Sequence, residues 1–241
     1  MKVLVIETQA MVPIGSFYRP LVDAGLELVY WRTSEGPPPE SVAGLTGVVA
    51  LGGAANPDED ERYPWLAHER ELLASAVGST IPTVGLCLGG ELLAEVLGSS
   101  PARLARPEIG WRELRLTPAA RDDALLRCLP QRVDVFHWHS FAFELPPGAR
   151  LLAGSEGKAE AFGFGGFAWG LQFHFEADET IIGDWTGHYR DLLRKQGLDP
   201  QRILEETRVR VASYRRHATA VARAFAAVIH ERERERTAAV Q

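Results

Sequence analysis

The stretch from Ile81 to Gly98 reads IPTVGLCLGGELLAEVLG. It begins as a short apolar run, places a cysteine between glycines, and continues with apolar residues at helical spacing. A strand that turns sharply into a helix leaves one residue at the apex, often at positive φ. The residues two positions either side must then be small, or they collide. Gly85-Leu86-Cys87-Leu88-Gly89 meets that demand with sulfur at the apex. A chain built around such a turn needs strands before it and helices to cover them.

The preceding segments supply both. Lys2–Glu7 reads as a buried strand, Leu26–Arg32 as a second, and Gly47–Leu51 as a third that runs into Gly52 and Gly53. Thr33–Glu40 holds three consecutive prolines and is a loop, because proline neither propagates a helix nor sits in a central strand. Tyr63–Val77 carries Trp65, Leu66, Leu72, Leu73 and Val77 at helical spacing. Ile81–Leu86 is a fourth strand and Gly89–Leu97 a helix. Strands alternating with helices predict an α/β fold: an open, mostly parallel sheet with helices on both faces.

The middle of the chain changes character. IGWRELRLT, RVDVFHWHS, ARLLAGS, AEAFGFGG and FAWGLQFHFE read as short strands joined by turns, and predict small antiparallel additions to the sheet. Asp178–Gln196 reads as a helix capped by Gly197, and Pro200 to about Arg236 as further helix. The chain of 241 residues is 46% hydrophobic, enough for one sizeable core. A single domain over 1–241 is expected, with C-terminal helices from about 178–236.

The net charge of -6 argues against non-specific nucleic-acid binding, which needs basic surface to neutralise phosphates. Two cysteines are too few for a disulfide scaffold. The N-terminus lacks the apolar region of a signal peptide, and no stretch approaches the roughly 20 apolar residues of a membrane span. The expectation is a soluble, cytoplasmic protein that contacts neither nucleic acid nor membrane.

The turn geometry assigns chemistry to Cys87. It places the thiol at the carboxyl edge of a parallel sheet, where α/β sites lie. It also sets the thiol at a helix N-terminus, whose partial positive charge favours thiolate. The backbone N–H of Leu88 aims at the space above the sulfur. Cys128, in LLRCLPQ, has no such setting and reads as plain packing. A thiol nucleophile needs a base, and the base an orienter. In GLQFHFE, His174 and Glu176 are two apart, so on a strand both point to one face, and Phe173 and Phe175 to the other.

Together the elbow and the QFHFE segment resemble the class I glutamine amidotransferase family, the Cys-His-Glu glutaminases. The stretch ALGGAANPDEDERYPWLAHERELLASAVGSTIPTVGLCLGGELLAEVLG, then VFHWHSFAFELPPGARLLAGS, then GLQFHFEAD fall in the family's order over nearly the whole chain. The likeness is closest to stand-alone members similar to the glutaminase domain of GMP synthase. It implies a flavodoxin-like sheet and a role for each matching residue. Cys87 would attack the γ-carboxamide of glutamine, releasing ammonia and leaving a γ-glutamyl thioester that water hydrolyses. His174 would shuttle protons and Glu176 would orient it. Gly53 and Leu88 would supply the oxyanion-hole N–H groups. Gly52, Glu91, Trp138, His139, Ser140 and Phe141 would border the substrate.

Three positions depart from the family pattern. Glu91 stands where an elbow glutamine is usual, Phe141 where an Asp is common, and Phe175 where the family has proline. A carboxylate only accepts hydrogen bonds, so Glu91 is expected to bind a substrate ammonium group. Three readings of function stay open: a glutaminase feeding ammonia to a separate synthetase, a hydrolase of γ-glutamyl peptides or amines, and a catalytically idle regulatory module. His137, His139 and His174 could together offer three zinc ligands. No other Cys/His spacing supports a metal, so neither metal nor cofactor is expected.

Overall fold

The computed structural model describes residues 1–155 and 158–239. In chain order the elements are β1 (Lys2–Glu7), α1 (Tyr18–Asp23), β2 (Glu27–Arg32), β3 (Leu45–Ala50), α2 (Trp65–Gly78), β4 (Thr83–Leu86) and α3 (Leu88–Val96). They continue as β5 (Ala102–Arg115), β6 (Arg132–Ala142), β7 (Arg150–Ser155), β8 (Lys158–Phe164), β9 (Ala168–Leu171), α4 (Glu179–His188), α5 (Arg190–Lys195) and α6 (Pro200–Ala239).

Seven strands form one sheet in the order β2-β1-β3-β4-β9-β8-β7. The first five are parallel, and β8 and β7 extend the edge antiparallel. In β1, Val3 and Val5 join the apolar cluster on one face, which includes Leu21 of α1, Trp185 of α4 and Phe225 of α6. Leu4 and Ile6 join the cluster on the other, with Leu66 and Leu73 of α2 and Leu92 of α3. A strand buried on both faces is what an unbroken apolar run specifies in a parallel sheet.

The sequence reading needs four corrections. β5 and β6 do not join the sheet but pair with each other as a separate antiparallel ribbon. β6 instead bonds the site loop, where Phe136 O accepts from His174 N–H at 3.0 Å. The expected helix at 178–196 breaks at Tyr189 (φ −96°, ψ 20°), whose ring packs 5.8 Å from that of Trp138. The strand that was to carry His174 ends at Leu171, where its partner β4 also ends. Cys128 is exposed rather than packed. Among the described residues, no helix is long and apolar enough to cross a membrane.

Candidate active site

β3, β4 and β9 are neighbours in the sheet, so whatever follows each strand meets at one carboxyl edge. Gly52 and Gly53 follow β3, Cys87 follows β4, and the turn with His174 and Glu176 follows β9. Cys87 sits at φ 52°, ψ −113°. Such a conformation costs a non-glycine residue about 1–3 kcal/mol and persists only where the surroundings impose it. Here Cys87 N–H donates to Leu171 O, and Cys87 O accepts from Glu91 N–H. A Cβ on Gly85 would overlap the Gly89 carbonyl, and one on Gly89 would overlap that of Ala50. Backbone cannot step aside, which is why the sequence spaces glycines around the sulfur.

His174 stands opposite. Its Nδ1 lies 2.7 Å from Glu176 Oε1. A carboxylate accepts, so Nδ1 carries the proton and Nε2 faces the thiol. Cys87 Sγ and His174 Nε2 both reach the Trp138 carbonyl, at 3.7 and 3.4 Å. A Cβ on Gly52 would lie 3.1 Å from His174 Cε1 and 3.4 Å from Cys87 Cβ. The two side chains therefore close around a glycine. The pair forms across a tight turn rather than along a strand, with Ala177 N–H returning to His174 O at 3.0 Å.

Three supports escaped the sequence reading. The Tyr214 hydroxyl, from α6, donates to the His174 carbonyl. The Trp185 ring packs edge-on to the imidazole at 4.9 Å while its N–H donates to Met11 O. Thr8, just past β1, is a third. Its hydroxyl donates to Gly52 O at 2.7 Å. The C=O and N–H of a trans peptide point opposite ways, so this bond turns Gly53 N–H away from Thr8. Among the described residues, neither Gly53 N–H nor Leu88 N–H has an acceptor.

One pocket gathers Gly53, Cys87, Leu88, Glu91, Trp138, His139, Ser140, Phe141 and His174, with Gln9, Asn56, Trp185 and Tyr189 at its walls. Gly52 lies behind the thiol and Glu176 is fully buried behind the imidazole. A family model described as glutamine amidotransferase class-I matches residues 16–184. The chain belongs to the class I glutamine amidotransferase family.

Its relatives agree. It is 28% identical to a glutamine amidotransferase-like protein, YfeJ, of Salmonella typhimurium, over 76% of this chain and 79% of that one. It is 32% identical to a GMP synthase (glutamine-hydrolyzing) of Aeropyrum pernix, over 60% of this chain but only 27% of that one. Thus the chain spans about a quarter of that longer relative. Among solved structures, a glutamine amidotransferase of Thermotoga maritima matches with a TM-score of 0.85 and 30% identity, covering 94% of this chain and 98% of that one. One from Methylobacillus flagellatus matches with a TM-score of 0.86 and 25% identity, covering 94% of each.

The electrostatics of this site pit burial against neighbouring charges. Burial pulls the His174 imidazole down, but the charges of Glu176 and Cys87 outweigh it and hold it well above its ordinary value. Burial pushes the Cys87 thiol up, against the pull of His174. Desolvation therefore opposes ionisation of the thiol, while His174 beside it favours it. Glu91 is buried in the first turn of α3 and accepts from Gln172 Nε2 at 2.8 Å. Burial raises it to about 7. Phe141 is covered by the Arg103 guanidinium, 4.5 Å above its ring. Phe175 packs between Phe173 and Tyr214. The three-histidine set is not assembled, because His174 Nδ1 is engaged by Glu176 while His137 and His139 face Glu108.

Proposed function

We propose that the chain hydrolyses the side-chain amide of glutamine, or a close γ-glutamyl analogue, with Cys87 as nucleophile. The observation that carries this is a thiol held at a strained strand–helix apex, facing a histidine already bonded to a buried carboxylate. The sulfur attacks the amide carbon, and its proton passes to His174 Nε2. The carbonyl oxygen becomes an oxyanion between the unused N–H groups of Gly53 and Leu88. Each such donor is worth about 10²–10³ in turnover. His174 then gives the proton to the departing nitrogen, and a γ-glutamyl thioester remains. Water, deprotonated by His174, attacks the thioester, and glutamate leaves as the sulfur regains its proton. The GMP synthases among the relatives support an ammonia-accepting synthetase on a separate chain as partner.

A second reading, prompted by Glu91, is hydrolysis of γ-glutamyl amines or peptides. A glutamine there would offer both a donor and an acceptor, whereas this carboxyl becomes an anion near neutrality and would attract a substrate ammonium. Ammonia and amine release should be measured with glutamine, γ-glutamyl amines and a γ-glutamyl dipeptide, for wild type beside Cys87→Ala. Release that persists in Cys87→Ala would refute cysteine chemistry, and dipeptide cleavage without glutaminase activity would favour the second reading.

A further inference from the structure

Beside the pocket, the β5–β6 ribbon buries a cluster that the amide chemistry does not use. Glu108 of β5 pairs in register with His139 of β6, and His137 lies two residues earlier on the same face. His139 Nδ1 is 2.6 Å from the Phe141 carbonyl, which can only accept. The proton therefore sits on Nδ1, and Nε2 presents a lone pair. That lone pair meets His137 Nδ1 at 3.1 Å and Glu108 Oε2 at 3.5 Å. Glu160 of β8 brings its Oε2 to 3.8 Å from His137 Nδ1. Lys158 and Arg112 both hold the other oxygen of Glu108, Oε1, so Oε2 is left to the cluster.

A single proton on His137 Nδ1 can serve the His139 lone pair. It does nothing for the carboxylate oxygen that faces the same lone pair. A cation at the centre serves every donor at once. Donor atoms at tetrahedral positions around zinc, each 2.0–2.1 Å from it, are about 3.3 Å apart, close to the spacings here. The protonation states suit it as well. Burial pulls His137 well down and His139 to about 4, so both imidazoles are neutral at pH 7. Burial would raise Glu108, but Lys158, Arg112 and His139 outweigh it and keep it ionised. The Phe141 carbonyl on His139 Nδ1 is the kind of outer partner that fixes a ligating imidazole.

We infer that His137 Nδ1, His139 Nε2 and Glu108 Oε2 form a site for a divalent cation of the zinc class. Three protein donors leave a fourth position of a tetrahedral ion to solvent. It ties β5 to β6 and braces residues 138–141, which wall the pocket.

The test is to incubate the purified chain with Zn²⁺, remove unbound metal by gel filtration, and count zinc by mass spectrometry. Wild type and Cys87→Ala should each retain about one zinc per chain. His137→Gln/His139→Gln should retain none, and Glu108→Gln should bind at least about tenfold more weakly. Co²⁺ in wild type should give tetrahedral visible bands without a thiolate charge-transfer band. If the histidine variants do not fold, by circular dichroism, Glu108→Gln and the Co²⁺ spectrum decide. Absence of retained zinc, zinc lost in Cys87→Ala, or a thiolate band would overturn the assignment.

Discussion

Thr8→Val isolates the orientation of one peptide. The substitution keeps the β-branched shape and removes only the hydroxyl that donates to Gly52 O at 2.7 Å. A hydrogen bond of this kind contributes about 0.5–1.5 kcal/mol net. That energy biases the Gly52–Gly53 peptide toward the orientation with Gly53 N–H turned to the pocket. Its loss should lower kcat about three- to tenfold, by the conversion of about 1.4 kcal/mol per factor of ten. The upper bound is the 10²–10³ or so of a donor removed outright. KM should hardly move, because the donor acts on charge that develops in the transition state. The same energy should lower Tm by about 2–4 °C for a chain of this size. The assay is ammonia release from glutamine, or from whichever γ-glutamyl substrate is turned over, with Thr8→Ser as the rescue. If Tm falls as expected in Thr8→Val while kcat stays at the wild-type value, the peptide needs no clamp and the reasoning fails. Equal kcat loss in Thr8→Ser would do the same.

Glu176→Gln should lower kcat by about 10³–10⁴ with little change in fold, because His174 loses the anion that holds its tautomer; near-normal turnover would remove Glu176 from the mechanism. Glu91 is raised to about 7, so it gains charge as pH rises through that value, and KM for a γ-glutamyl amine should fall over the same range. Glu91→Gln should erase that pH step and reduce turnover, and faster hydrolysis by the variant would contradict an ammonium-binding role. Glu69 is fully buried in α2, and among the described residues neither of its carboxyl oxygens has a hydrogen-bond partner. Burial raises it from 4.5 to about 8. An acid raised on folding costs stability as pH climbs above its unfolded value, until the folded value is passed. At pH 7 the cost is roughly 3 kcal/mol, from about 1.4 kcal/mol for each of some 2.5 pH units. Glu69→Met should therefore raise Tm more at pH 8 than at pH 5, and an equal gain at both would refute the charge argument. Gly85→Ala should abolish soluble, folded protein, since its Cβ has only backbone to displace.

The elbow was legible because its constraint is local. Backbone collisions at Gly85 and Gly89, two residues either side of the strained apex, leave glycine no substitute there, and that writes itself into the sequence. The parallel strands were legible for a similar reason, since burial on both faces of β1 and β3 demands apolar residues without a break. The turn at His174 was not. Residues 168 to 176 are continuously buried, so their pattern is the same whether the ladder ends at Leu171 or runs on. The end is set by β4 stopping at Leu86, which is information from another part of the chain. The break at Tyr189 is hard to place for a similar reason, because its ring meets Trp138 from another part of the chain. Thr8, Trp185 and Tyr214 support the site through single hydrogen bonds to distant backbone carbonyls. Such bonds have no period and leave no motif.

The bond from Tyr214 to the His174 carbonyl ties the imidazole loop to a helix that is made after every residue lining the pocket. On the ribosome the thiol, the glycine peptide and the histidine all emerge before the segment that secures them. A nascent chain, or one halted ahead of α6, would carry every reactive group yet lack the tether that registers them.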